Sequence, residues 1–259
     1  MGLITMCGGT PVSYEEVKAV LTPAATDTYF PVAHHHQIDL LKEEAAVLLP
    51  SMPLVSEAYG LNRDGKQFFG VLGFQGESNE SSLMIGARGA HDHSMSRQYC
   101  AGKRITVCDN MIFEGSDSNF AIVRKHTRNI WGDLVKAVRE ALRLAPATYD
   151  RLLQDTAAMK ARSCSEDRGA ELIGRAMYKG LLTPTQATVV IGDWQNVGTE
   201  NVRHEEFNQR TAWGLHNCFT EGLKKGGVNT VIERHGNVHD FFRQNFWLPE
   251  AITVPVTRA

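Results

Sequence analysis

No run of about 18 apolar residues occurs in this 259-residue chain, so no segment is long enough to cross a bilayer as a helix. An excess of one charge is missing too. Lys and Arg number 27 and Asp and Glu 29, a formal net charge of -2. That excludes a globally basic nucleic-acid binder but leaves room for a local basic face. The five cysteines, Cys7, Cys100, Cys108, Cys164 and Cys218, are odd in number and widely spaced, with no C-x-x-C. A disulfide framework or a zinc ribbon does not fit that pattern; reduced thiols in a cytoplasmic protein do. Residues 1–10 have neither a positive stretch nor a long apolar one, so no signal peptide is expected. The phosphate-binding patterns G-x-x-x-x-G-K-[ST] and G-x-G-x-x-G are absent, as is the nucleophile elbow G-x-S-x-G. What remains, 42% hydrophobic and 22% charged residues, suits a chain with a real core.

The hydrophobic period changes along the chain. Ser13-Tyr14-Glu15-Glu16 has the form of a capping box and predicts a short helix to about Val20. Ile38, Leu41, Ala45 and Leu48 step by three and four, one face of a helix over 36–49. Period two follows. Leu54 to Leu61 and Lys66 to Phe74 flank Asp64-Gly65, a hairpin signal, because glycine takes φ > 0 without steric cost. Leu83 to Ala87 and Arg104 to Cys108 read as further strands, and Met111 to Phe113 as one pairing back across Asp109-Asn110. Helical spacing returns at Ile130, Leu134, Val138 and Leu142, with Pro146 expected to end that helix and Tyr149 to Ala161 to form another. Ser165 and Thr183-Pro184 open two more, Ala212 to Leu223 marks a fifth, and Phe241 to Phe246 a last short one. Strands followed by helices predict an α+β fold. We read it as a single domain over 1–259, with 52–123 mainly β and 124–247 mainly helical.

Three constellations bear on chemistry. Ile85 to Ser94 concentrates glycine with Arg88, His91, Asp92 and His93. On a strand His91 and His93 would share a face with Asp92 opposite, and two such imidazoles bind a transition metal if Asp109 or His126 supplies a third ligand. The plain alternative is a polar turn, and no metal or other cofactor is expected. Cys108 with a histidine base would make a nucleophile, but its strand pattern reads as a buried thiol. Third, Arg88 to Arg128 holds seven cations (Arg88, Arg97, Lys103, Arg104, Arg124, Lys125, Arg128) and four acids (Asp92, Asp109, Glu114, Asp117). That local excess suits a groove facing phosphate, with Arg88, Arg97, Lys103, Arg104, Lys125 and Arg128 along the strand and Tyr99, Phe113 and Trp131 as stacking surfaces. His34-His35-His36 reads as a capping or surface feature.

Several of these blocks resemble a known family. Leu61 to Gly70 is similar to its "DG…FG" hairpin. Ile85 to Ser94 with Gly102 to Met111 resembles its central "GLRN-x-x-DKS … G-x-R-V-F-V-C-D-N" block, Arg124 to Asn129 its "KHT" helix start, and Arg210 to Thr220 its "R-T-x-W-x-L-x-N-A-F-T" helix. Thr22-Pro23 to Pro31 also fits. The family is the phage- and plasmid-related domain-of-unknown-function 932 family. The chain departs from it at Ala87, at Gly89-Ala90-His91, and at His93, where lysine is common. The resemblance implies a phage, prophage or plasmid setting in the bacterial cytoplasm.

The expectation is therefore a mobile-element accessory protein that binds nucleic acid, single-stranded DNA in particular. A hairpin-rich sheet followed by a long helix is similar in outline to ring-forming phage annealases, an analogy of fold alone. One rival is a metal-assisted enzyme acting on a phosphodiester or nucleotide through His91, Asp92, His93 and Asp109. Another is a non-enzymatic inhibitor of host defence, with a host or phage protein as partner. A homo-oligomer is compatible with each, and a membrane partner with none.

Overall fold

A computed structural model describes residues 9–76, 81–105, 111–113, 122–124, 126–224 and 230–248. Seven strands form one antiparallel sheet in the order β1-β2-β3-β4-β5-β6, with β7 also on β5. They are β1 (Thr10–Val12), β2 (Leu54–Asn62), β3 (Gln67–Phe74), β4 (Ser81–Ala90), β5 (Arg97–Ile105), β6 (Met111–Phe113) and β7 (Ile122–Arg124). The short pair β6 and β7 share one edge: β6 runs beside 102–104 and β7 beside 97–99. The helices are α1 (Tyr14–Lys18), α2 (His34–Leu48), α3 (Ile130–Ala161), α4 (Glu166–Tyr178), α5 (Pro184–Asn196), α6 (Ala212–Leu223) and α7 (Val231–Phe246). The fold is α+β, with the sheet in the first half and helices in the second.

The β2–β3 hairpin turns where Asp64-Gly65 predicted. Asn62 pairs with Gln67, and Arg63, Asp64 and Gly65 all take positive φ, at 51°, 55° and 81°. Two capping boxes also form, Ser13 with Glu16 on α1 and Thr183 with Gln186 on α5. Each satisfies a backbone donor left open at the helix start.

The apolar residues divide into two cores. In the first, alternate residues of the central strands (Phe68, Leu72 and Phe74; Leu83, Ile85 and Ala87; Tyr99 and Ala101) meet Ile38 and Leu41 of α2 and Leu134, Val138 and Leu142 of α3. The opposite face is buried as well, at Phe69, Val71, Met84, Arg88 and Cys100. In the second, Leu152 and Met159 of α3 pack with α4 to α7 through Leu172, Val190, Trp194, Phe219 and Phe242.

Several expectations need correction. Pro146 lies inside α3, which runs unbroken for 32 residues. The apolar stripe on either side, Leu142, Ala145, Tyr149 and Leu152, is fully buried and outweighs one lost hydrogen bond. β4 extends through Arg88 to Ala90, and β5 begins at Arg97 rather than 104. Arg124 belongs to a strand, not to the start of the long helix. β1 carries too short a pattern to read. Cys108, Asp109 and Lys125 lie outside the described residues, as do residues 106–110 as a whole.

Candidate functional site

The turn between β4 and β5, the segment before α2 and the segment before α3 converge on Arg97. Its side chain is fully buried. Nη1 donates to Nδ1 of His34 and Oε1 of Gln37, both at 3.0 Å, and Nη2 donates to the carbonyl of Val32. Gly89 lets the guanidinium in: a Cβ there would stand 2.5 Å from Cδ of Arg97. The contacts fix the imidazole tautomers. Nε2 of His34 donates to the Gly65 carbonyl at 2.9 Å, so Nδ1 is free to accept from Arg97. His91 stacks on His34 with centroids 4.0 Å apart and donates from Nε2 to the Val32 carbonyl at 2.9 Å. Tyr29 lies between His93, at 4.0 Å, and His126, at 4.9 Å, and its hydroxyl donates to the His91 carbonyl.

Charge in this chamber is one-sided. Burial, then Arg97, pushes His34 down to about 2 and His126 down to about 4; burial also lowers His91. Burial lowers Arg97 itself to about 10. His34, His91 and His126 are therefore neutral around a single guanidinium. Asp92 is taken up elsewhere, accepting from Arg63 at 3.2 Å, from Gln67 at 3.4 Å and from the backbone and hydroxyl of Ser94.

His91, His93 and Asp92 do not alternate on a strand, which corrects that reading. They occupy a bend after β4, with His93 left-handed at φ 61°. Its geometry gathers His91, His93 and His126 around Tyr29. Even so, among the described residues no three His, Cys, Asp or Glu side chains are placed to hold a metal. His34 is the buried first residue of α2, not a surface group.

Three cations expected to line a groove turn inward. Besides Arg97, Arg88 reaches Gln98 and Glu233, tying the sheet to α7. Lys103 donates to Oγ1 of Thr156 on α3 at 3.0 Å and lies 5.8 Å from the Trp213 ring. The reason is the sheet itself: β4 and β5 are central strands covered on both faces, and a charge carried there needs internal partners. A phosphate-facing groove would have to draw on other cations. Arg104 lies in β5 opposite Ser82. Arg128 is exposed beside Phe30, with its guanidinium 5.8 Å from the ring. Of the stacking candidates, Tyr99 is buried with its hydroxyl on the Gln37 carbonyl, whereas Trp131 is 48% exposed and meets His36 edge-on.

Sequence reasoning missed the outer ridge of α3. Lys136, Arg139 and Arg143 are exposed there, and Arg139 makes a two-pronged pair with Glu44 of α2, both contacts at 2.8 Å. The period that picked out Leu134, Val138 and Leu142 as core places these three on the opposite stripe. It also missed a buried polar knot in the second core. There Asp155 accepts from Arg243 and lies 2.9 Å from Nε2 of His239, whose ring meets His216 edge-on. The three described cysteines, Cys100, Cys164 and Cys218, are free and buried, and burial raises their thiols, Cys100 to about 12 and Cys164 to about 11. None is a poised nucleophile.

Comparison with curated proteins and with solved structures gave no match. The family profile described as a domain of unknown function, DUF932, matches residues 27–245. That span takes in the hairpin, the Arg97 chamber, the α3 ridge and the second core alike, and on it the chain belongs to the DUF932 family.

Proposed function

We propose that the protein is a cytoplasmic accessory protein of a phage, prophage or plasmid that binds nucleic acid, single-stranded DNA above all, along the outer ridge of α3. The observation that carries this reading is the exposed stripe Lys136, Arg139 and Arg143 on α3, with exposed Trp131 in the first turn of the helix and Arg128 in the turn before it. Cations at this spacing neutralise successive phosphates without reading sequence. Trp131 offers a ring face at the start of the ridge, and a base stacked on an aromatic is worth about 1–3 kcal/mol. Arg139 is engaged by Glu44, and Glu140 is an exposed carboxylate interleaved with the cations. The ridge is therefore moderately basic and suits salt-sensitive, sequence-tolerant binding.

The test is a titration of labelled single-stranded and duplex oligonucleotides at two salt concentrations, with and without chelator. Binding that weakens with salt, favours the single strand and ignores chelator supports the reading. No binding at low salt removes it and leaves the partner-protein alternative in front. Chelator-sensitive turnover of the oligonucleotide would favour the enzyme.

A further inference from the structure

Four non-glycine residues among those described take left-handed φ. Arg63 and Asp64 make the β2–β3 turn, and Trp247 ends α7, places where that conformation is ordinary. The fourth is His93, at φ 61°, in the connection 91–96 between β4 and β5, which is longer than the two-residue turns that impose such geometry. A Cβ there is crowded by the following carbonyl, a cost that glycine avoids. No polar contact offsets it: among the described residues the His93 ring makes no hydrogen bond or ion pair, and the side chain is exposed. Its ring leans on Tyr29, with centroids 4.0 Å apart. Strain held at an exposed side chain calls for a use outside the fold. The surroundings supply one. Phe30, next to Tyr29 in the chain, donates its backbone N–H to the His126 carbonyl at 3.0 Å and lies under the Arg128 guanidinium at 5.8 Å. Arg128 is exposed and makes no ion pair among the described residues. Three residues on, exposed Trp131 meets exposed His36 edge-on. A band of rings with an unpaired cation in it thus joins the start of α3 to His93.

We propose that His93 is a second base-stacking platform for the single strand, which leaves the α3 ridge at Trp131 and crosses Arg128 and Phe30 to reach it. A base covers the imidazole on the side turned away from Tyr29. Such stacking is tolerant of sequence, because every base has a π face, and Arg128 between the two platforms takes a phosphate. The inference rests on the nucleic-acid reading of α3 and adds the course of the strand beyond the helix. The alternative is a ring kept only to cover Tyr29, and the two make opposite demands on stability.

His93→Gly in the full chain separates them. Glycine removes the ring and the strain together, so the melting midpoint should hold or rise, the relieved strain offsetting the freer unfolded chain. Affinity for an oligothymidylate, measured by fluorescence anisotropy well below that midpoint, should fall about fivefold or more, the share of one stacked base. His93→Asn tolerates the left-handed region without a ring and should lose affinity alike. Oligothymidylates of increasing length test the path: wild-type affinity should go on rising with length after that of both variants has levelled off. Equal affinity and equal length dependence in the wild type and the variants overturn the proposal, and a lowered midpoint with unchanged affinity assigns His93 to covering Tyr29. If His93→Gly does not fold, His93→Asn decides on the same criteria. Weakening by Lys136→Glu or Arg143→Glu with no effect at His93 defeats this inference and leaves the α3 reading standing. No binding by the wild type at low salt defeats both.

Discussion

Arg97 and Gly89 illustrate how much depends on single side chains in the central strands. Replacing Arg97 by Met would leave Nδ1 of His34 and Oε1 of Gln37 without a donor while Val32 keeps that of His91, and each buried group left without a partner costs about 1–3 kcal/mol. We expect a loss of several kcal/mol, read as a lower urea midpoint. Gly89→Ala attacks the same guanidinium from the other side. The new methyl would lie 2.9 Å from Nε and closer still to Cδ, so the enclosed stem must move. The expected cost is about 1–3 kcal/mol, as for other overpacked interiors. The histidines add a dependence on pH. His34, His91, His126 and His216 all have pKa values lowered by burial. The unfolded chain, with histidines near the ordinary 6.5, therefore binds more protons than the native one below that pH. Stability should be full above about 6.5 and fall steadily as pH drops toward 4, the folded value of His126. Lowered carboxylates such as Asp92 and Glu44 act only below their ordinary range near 4. Urea midpoints at pH 7.5, 6.5 and 5.5 check this; a flat profile over those points would show that the imidazoles are hydrated in the native protein.

At the scale of elements, α3 makes the sharpest case. Proline inside a helix removes a hydrogen bond and crowds the carbonyl four residues back, here that of Leu142. Pro146→Ala should therefore stabilise the protein, by about 1–2 kcal/mol after allowing for the more flexible unfolded chain. A lower midpoint instead would mean that the two halves of α3 need the bend to seat in separate cores. The helix also marks where sequence reading stops. Its apolar stripe was legible from Ile130 to Leu142, and so were the capped starts of α1, α4 and α5 and the Asp64-Gly65 hairpin. These are local signals written within four or five residues. The continuation through Pro146 was not legible, because it depends on Tyr149 and Leu152 finding partners from distant segments. β1 and β7, three residues each, exist through pairing with β2 and β5 and have no period of their own. The candidate site failed to show for a related reason. A run of cations reads as a solvated face, and only the knowledge that β4 and β5 are central strands turns Arg88, Arg97 and Lys103 inward. The ridge at Lys136, Arg139 and Arg143 was within reach, as the polar complement of a stripe already recognised.

The whole molecule divides its labour between the buried and the exposed faces of α3. The buried stripe joins the sheet core to the helical core, from Leu134 against α2 and the strands to Met159 among α4 to α7. The outer stripe is thereby held on a rigid rod and is free to vary without cost to the fold. Lys136→Glu and Arg143→Glu, singly and together, are the substitutions that separate binding from stability. Both positions are exposed, so each change should move the melting midpoint by no more than about 0.5 kcal/mol of stability. On the proposed reading each removes a phosphate contact, so the log–log salt slope for a single strand should shrink by about 0.7 per contact, with affinity falling alike for all sequences. Arg139 is the internal control. Because Glu44 already neutralises it, Arg139→Gln should disturb binding less than either reversal while loosening the α2–α3 contact slightly. Trp131→Ala should lower affinity without changing the salt slope, since stacking releases no counterions. If instead the two reversals leave both affinity and slope untouched while the wild type binds, the strand follows another surface and α3 serves only as the brace between the two cores.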